Sequence, residues 1–382
     1  MDKIKILYLI ESLSGGGAEK VLSTTIKNLN PSLFDITLCC ITDIGKYKEE
    51  ILPYVNYHYI LPNPDNLKGL NKFLYRISYK LIYYHLPLRL IYRLFIPQGS
   101  QIEIAYIEGF ATKLLSHSNN KKAKKIAWVH TDLVHNHWTD IIYKNFDEEA
   151  FAYSKYQQII TVSKTAEKTF LQIFKNIKVP TLTIYNPIDS EEIIRKSKED
   201  KNIPTPNPGI FRIVSVGRLT KLKGYERLLS IIHQLKKEKY SIELWLIGDG
   251  DQLLNLKSYV EKYNLNGLVK FWGHQSNPYC IMSQCHLFVC SSFSEGYSTA
   301  VTESLILGIP VITTDCSGMH ELLEDNKYGI ITGNSKLALY KGIKSILDDP
   351  KLLNHYRDQA IIRGKDFSLA FLIKQIESFL LE

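Results

Sequence analysis

Nowhere in this 382-residue chain is there an unbroken apolar stretch as long as the roughly 18 to 20 residues that a membrane-crossing helix needs. The first residues, Met1 to Glu11, are too short and too early charged for a secretory signal peptide, and read as a buried strand. Cysteine is scarce: six, at 39, 40, 280, 285, 290 and 316, with no Cys-x-x-Cys pair and no matching histidine spacing. That pattern argues against a disulfide framework and a zinc site, and fits small buried apolar residues in a reducing compartment. A cytoplasmic protein is the expectation. No repeat or low-complexity tract stands out. Hydrophobic residues at 45% and charged residues at 23% describe a globular chain, long enough for two domains with a core each.

Acid is also missing locally. Between Asn66 and Ile102 there is no Asp or Glu, and much of the net charge of +8 comes from this segment. Residues 1–186 hold 23 Lys and Arg against 16 acids, whereas the remainder is nearly balanced at 24 against 23. Lys68, Lys72, Arg76 and Lys80 recur every four residues, with Leu70, Phe73, Leu74, Ile77 and Leu81 on another side. Pro87 interrupts the pattern, which resumes over Leu88 to Ile96 with Arg89 and Arg93. Two readings fit: a basic amphipathic helix on an anionic membrane surface, or an ordinary helix with a solvated basic face. No nucleic-acid recognition module is visible.

Strand-like runs at 4–10, 36–42, 102–107, 125–130, 158–162 and 181–185 alternate with helical patterns, and so does a second set at 211–216, 242–247, 268–272, 286–291 and 309–314. Alternation of this kind predicts α/β architecture with parallel sheets. A turn at Asn186-Pro187-Ile188-Asp189, a charged helix and the proline-rich loop 203–209 separate the sets. Expected domains are 1–186 and 187–365, followed by a helix over 366–382.

The stretch Ser294-Glu295-Gly296-Tyr297-Ser298-Thr299 to Glu303 follows the run Leu287-Phe288-Val289-Cys290 and opens a helix. It is expected at the carboxyl end of a buried strand, where open α/β sheets bind ligands. N–H groups of residues 296 to 299 at the helix start would suit a phosphate. Glu295 and Glu303 bracket that turn and would accept hydrogen bonds from hydroxyls beside it, which suggests a diphosphate between two polyols. Tyr297 would stack on a sugar or pack the helix start. Arg218 and Lys223 lie in the loop after the strand Phe211 to Val216, where Arg can fork onto two phosphate oxygens and Lys supplies a point charge.

Other candidates are weaker. Ser14-Gly15-Gly16-Gly17-Ala18-Glu19 lacks the third glycine of a dinucleotide fingerprint and is no P-loop, yet permits close backbone approach. His130 ends a strand-like run, and a lone histidine there is more often structural; His135 and His137 stand nearby. Asp249-Gly250-Asp251 could bind a metal, but a helix expected from Gln252 makes Asp251 more simply an N-cap. Glu321 after Gly318 reads as a helix-start residue lining a base or ribose pocket.

Gly217-Arg218-Leu219, Lys223-Gly224, and Glu295 with Glu303 after seven intervening residues stand in the order found in the retaining glycosyltransferases of family 4. Phe271-Trp272-Gly273-His274, Asn277-Pro278-Tyr279 and the run Gly308 to Asp315 also resemble that family, most densely over 211–333. The resemblance implies the GT-B fold: two Rossmann-like domains facing across a cleft, with the last helix crossing back to the first. It implies retention of anomeric configuration, no metal and no cofactor. Catalytic roles fall on His130, Arg218, Lys223 and Glu295. Donor contacts fall on Gly16, Gly17, Arg218, Lys223, His274, Glu295, Gly296, Tyr297, Ser298, Thr299 and Glu303. The implied donor is a UDP-sugar, and the acceptor a saccharide or lipid-linked oligosaccharide on the inner membrane surface. A nucleotide-sugar epimerase of the same fold and a non-catalytic partner subunit are the alternatives.

Overall fold

The computed structural model describes residues 2–199, 203 and 209–382; the interior of the proline-rich loop expected at 203–209 lies outside the described residues. The chain divides into two compact units, Met1–Pro187 with Ala370–Glu382, and Ile188–Leu369.

Unit 1 is built on seven strands, β1 (Ile4–Ile10), β2 (Phe34–Thr42), β3 (Asn56–Leu61), β4 (Ile102–Ala105), β5 (Lys124–Val129), β6 (Gln158–Thr161) and β7 (Thr181–Thr183). Their order is β3-β2-β1-β4-β5-β6-β7, and every neighbouring pair is parallel. Unit 2 holds β8 (Phe211–Val216), β9 (Ile242–Ile247), β10 (Val269–Gly273), β11 (Leu287–Cys290), β12 (Val311–Thr314) and β13 (Ile330–Thr332), all parallel in the order β10-β9-β8-β11-β12-β13. Both sheets are covered on two faces, so central strands such as β1 and β11 are near-continuous apolar runs.

Two strands escape the sequence reading. β3 is an edge strand whose Asn56, His58 and Tyr59 face solvent, so its apolar signal is weak. β13 is three residues long at the opposite edge. Within the basic segment, helices Gly69–Lys80 and Leu88–Phe95 flank a π-helical turn at Leu81–His85, the break expected at Pro87.

The strand order reverses between β1 and β4 in the first sheet and between β8 and β11 in the second. A crevice opens at such a switch point because the connections leave in opposite directions. The last helix, Leu369–Leu381, is part of unit 1: Asn30 donates its backbone N–H to Glu377 Oε1 at 2.7 Å, and Lys124 Nζ sits 4.7 Å over the Phe379 ring.

Candidate functional site

In unit 2 the loops after β8 and β11 meet at the switch point. The β8 loop carries exposed Arg218, then the 3-10 turn Lys221–Lys223, then Gly224 in the left-handed region at φ +64° before helix Tyr225–Lys237. A Cβ at Gly224 would fall 2.1 Å from the Ser291 carbonyl oxygen, so only glycine lets the loops come this close. They are then laced together: Phe293 N–H donates to Leu222 O at 2.8 Å, and Ser291 Oγ to Lys223 O at 2.8 Å.

Arg227, unnoticed in the sequence, organises this junction. It is buried beneath the β11 loop, donating from Nε to Ser291 O at 2.7 Å and from Nη2 to Ser292 O at 2.5 Å. Nη1 reaches Asn334 Oδ1 at 2.8 Å, and Asn334 Nδ2 in turn bonds Phe293 O at 2.9 Å. Carbonyls that turn inward at a strand end need such a donor, since an unpaired buried acceptor is costly.

On this platform Lys223 Nζ donates to both oxygens of Glu295, at 2.6 and 2.8 Å. Burial alone would lower the Lys223 pKa, but the Glu295 carboxylate outweighs it and holds the ammonium above its ordinary value. Ser292 Oγ also donates to Glu295, and burial with the same carboxylate raises the Cys290 thiol.

The helix expected from about residue 296 begins at Thr299 and runs to Ile306, with Ser298 as N-cap, its Oγ accepting from Val301 N–H at 3.4 Å. The cap takes one free donor of the first turn. Gly296 lies against Gly318 (φ +77°), whose Cβ would come 2.5 Å from the Gly296 carbonyl oxygen. Glu303 is 3% exposed, with Tyr279 Oη donating to its Oε1 at 3.5 Å. Tyr297 packs, half-buried, on the core, which favours the packing role over stacking on a sugar. Arg218, Lys223, Glu295, Gly296, Ser298, Thr299 and Glu303 thus belong to the loops and helix start of one switch point. His274 is exposed after edge strand β10, two strands from β8. Glu321 lies within helix Met319–Leu323.

The expected N-cap at Asp251 is not observed. Helix Leu253–Lys262 begins one residue later with Gln252 at its cap position, and Asp251 accepts instead from Gln252 Nε2 at 2.7 Å. Asp249 accepts from Gly250 N–H at 2.8 Å. Among the described residues no three His, Cys, Asp or Glu side chains stand close enough to hold a metal ion. All six cysteines are buried and free.

Gly16, Gly17 and His130 belong to unit 1, at the carboxyl ends of β1 and β5. Gly16 is the N-cap of helix Gly17–Asn28, with no side chain to offer, which leaves its first N–H groups to other acceptors. His130 and Thr131 donate their backbone N–H groups to Glu108 Oε1 at 2.8 and 2.6 Å. His130 Nε2 and Glu108 Oε2 are sealed from solvent without a hydrogen-bond partner. Burial lowers the His130 pKa to about 4 despite the Tyr106 carbonyl, so the ring is neutral at pH 7. His135 Nδ1 and His137 Nε2 each meet a carboxylate, Asp132 at 2.6 Å and Glu149 at 2.8 Å. Glu11, just past β1, was not anticipated: Tyr83 Oη donates to its Oε2 at 2.9 Å, and burial raises its pKa.

Residues 196–363 match the model of the family "Glycosyl transferases group 1". Over 99% of both chains, the protein is 27% identical to a Campylobacter jejuni N-acetylgalactosamine-N,N'-diacetylbacillosaminyl-diphospho-undecaprenol 4-alpha-N-acetylgalactosaminyltransferase. It is 33% identical to the Escherichia coli O-antigen biosynthesis glycosyltransferase WclY over 44% of this chain and 46% of that one. Its fold is similar to that of Anabaena Alr3699/HepE solved with UDP-glucose, at a TM-score of 0.78, 20% identity and 99% coverage of both chains. Two parallel Rossmann-like sheets of seven and six strands, the neighbouring glycosyltransferase structures and the family match agree: this chain has the GT-B fold, and its residues 196–363 are a glycosyltransferase group 1 domain.

Proposed function

We propose that the protein is a retaining, metal-independent glycosyltransferase that moves a hexose or N-acetylhexosamine from a UDP-sugar to a lipid-linked or oligosaccharide acceptor in bacterial surface polysaccharide synthesis. The observation that carries this reading is the convergence of Arg218, Lys223 and a capped helix start at the switch point of unit 2. Two cationic side chains and main-chain N–H groups, fixed before substrate arrives, stabilise the negative charge that develops on a departing diphosphate. That is the work a divalent cation performs in other transferases, and here protein groups supply it. Glu303 accepts from the ribose hydroxyls and Glu295 from those of the transferred sugar. Because Lys223 and Glu295 hold each other, donor binding has to divide them, the ammonium turning to phosphate and the carboxylate to sugar. His130, held neutral by burial, is the candidate catalytic side chain of unit 1. Relatives that act on an undecaprenyl-diphosphate acceptor or build O-antigen support the acceptor class. The acid-free segment 66–102 supports attachment to the cytoplasmic face of a membrane, and among the described residues no helix is long and apolar enough to cross one.

Calorimetric titration with a panel of nucleotides and nucleotide-sugars tests the donor. Uridine diphosphates should bind, and slow hydrolysis should release UDP and free sugar. A protein that binds no nucleotide diphosphate at all would overturn the reading.

A further inference from the structure

A helix on a globular unit normally buries its apolar stripe and exposes its charges. Helix Gly69–Lys80 exposes both, for it contains no buried residue. Leu70, Phe73, Leu74, Ile77 and Leu81 recur at i, i+3, i+4, i+7 and i+11, and are 71, 59, 49, 41 and 41% exposed. The side turned to the protein is instead a ladder of tyrosines. Tyr75, Tyr79 and Tyr83 pack on the core of unit 1, with Tyr79 stacked on Tyr83 at 4.4 Å and Tyr83 on Phe110 at 4.2 Å. Four-residue spacing carries the exposed Lys68, Lys72, Arg76 and Lys80 slowly round the helix, from the tyrosine side to the flank beside the apolar stripe, where Arg76 and Lys80 stand. Long cationic side chains there can snorkel to headgroups while the stripe goes deeper. The next helix, Leu88–Phe95, adds exposed Leu94 and Arg93.

We propose that helix Gly69–Lys80 is an in-plane membrane anchor, which sinks this stripe to the headgroup–acyl boundary of an anionic bilayer and is tied by Tyr83 to the crevice of unit 1. Charge selects the occupant: an acid-free face repels a second copy of itself and attracts anionic lipid. The tie is the hydrogen bond from Tyr83 Oη to Glu11 Oε2, since Glu11 is the first residue past β1 at the switch point. The anchor deepens the membrane attachment proposed above, and its tests need no turnover, so it can fail while the transferase reading stands.

The full chain is sedimented with phosphatidylglycerol–phosphatidylcholine vesicles and with phosphatidylcholine alone. Binding is expected to the first. Emission of a Phe73→Trp variant should be quenched by lipids brominated in the acyl chain, beyond the quenching of the four native tryptophans. Joint Phe73→Ser, Leu74→Ser and Ile77→Ser changes should weaken partitioning roughly tenfold or more. The thermal midpoint should stay unchanged, because these side chains are exposed. Wild-type protein that stays in the supernatant overturns the anchor. So does binding without Phe73→Trp quenching, which means adsorption by charge alone, or self-association in solution that the triple variant abolishes. Bilayer binding should also slow amide exchange in residues 11–17, and Tyr83→Phe should remove that slowing without releasing the protein. Equal exchange with and without vesicles overturns the tie.

Discussion

Lys223 and Glu295, 72 residues apart in sequence, form a two-pronged ion pair at 2.6 and 2.8 Å across the switch point of unit 2. The pair joins the loop after β8 to the loop after β11, next to the helix start that would face a phosphate. An ammonium spent on a carboxylate has less field to offer an incoming diphosphate. Arg218, exposed earlier in the same loop, is the second cation at this strand end. Charge-assisted, partly desolvated pairs of this geometry are also structural, so Lys223 serves both the fold and the chemistry.

That double role separates two variants. Arg218→Ala and Lys223→Ala should each lose about one to two decades of turnover, since a hydrogen bond to a charged group is worth about 1.5–3 kcal/mol. Arg218 is exposed, and its loss should leave stability within about 0.5 kcal/mol of wild type. Lys223→Ala strands the Glu295 carboxylate, 10% exposed, and should cost a further ~1–3 kcal/mol of unfolding free energy. Turnover and denaturant unfolding measured on both variants decide the matter. Near wild-type rates in both would refute the phosphate assignment.

The two glutamates should differ in what they lose. Glu303→Gln is expected to weaken UDP itself, because ribose is shared by donor and product. Glu295→Ala should leave UDP affinity close to wild type and depress transfer, because its partner is the departing sugar. Calorimetry with UDP distinguishes them, and equal losses of UDP affinity contradict the division.

Gly224→Ala is a purely steric test. With φ at +64° and a Cβ 2.1 Å from the Ser291 carbonyl oxygen, the alanine must push the two loops apart. Left-handed strain and the broken approach together should cost about 3 kcal/mol or more. Gly267→Ala, where nothing lies within 4 Å of the added Cβ, is the control and should be near neutral. Matching unfolding midpoints for the two variants would mean that the loops do not meet as described.

How much of this was legible in sequence depends on whether a residue's role is local. β1, β8 and β11 are buried on both faces and announce themselves as apolar runs, and the loops that follow them carry Arg218, Lys223 and Glu295 in plain view. β3 was hidden because an edge strand needs no apolar outer face. Arg227 was hidden because an arginine two residues into a helix reads as surface; only the folded chain shows the Ser291 and Ser292 carbonyls above it. The Lys223–Glu295 pair joins distant loops, and no periodicity encodes it. The apolar stripe at Leu70 to Leu81 was visible as a pattern, but whether it faced core or solvent was not.

If protein cations and main-chain N–H groups hold the diphosphate, saturating chelator should leave transfer largely intact. A complete loss that magnesium restores would turn attention to Asp249 and Asp251, which share one loop after β9.

His130 gives a pH prediction whose sign follows from burial. Its Nε2 is sealed and unpartnered, and the pKa falls from 6.5 to about 4, so the folded protein keeps the ring neutral where the unfolded chain protonates it. The unfolded state then binds more protons, and stability must rise with pH across that window. The contribution is fully present above pH 6.5 and is lost as the pH falls toward 4. Between pH 6.5 and 5 the loss should be about 2 kcal/mol, from roughly 1.36 kcal/mol per unit. Glu108, whose carboxyl burial raises, works in the opposite direction, because its native form gains a proton early on acidification. The comparison is therefore cleanest above pH 5. Unfolding free energies of wild type and His130→Gln at pH 7 and pH 5 isolate the histidine, since every other titrating group is common to both. Wild type should lose more on acidification, by about the amount above. Parallel losses in the two proteins would mean that the ring takes its proton as readily folded as unfolded, and that a neutral, hydrogen-bonding His130 has no basis.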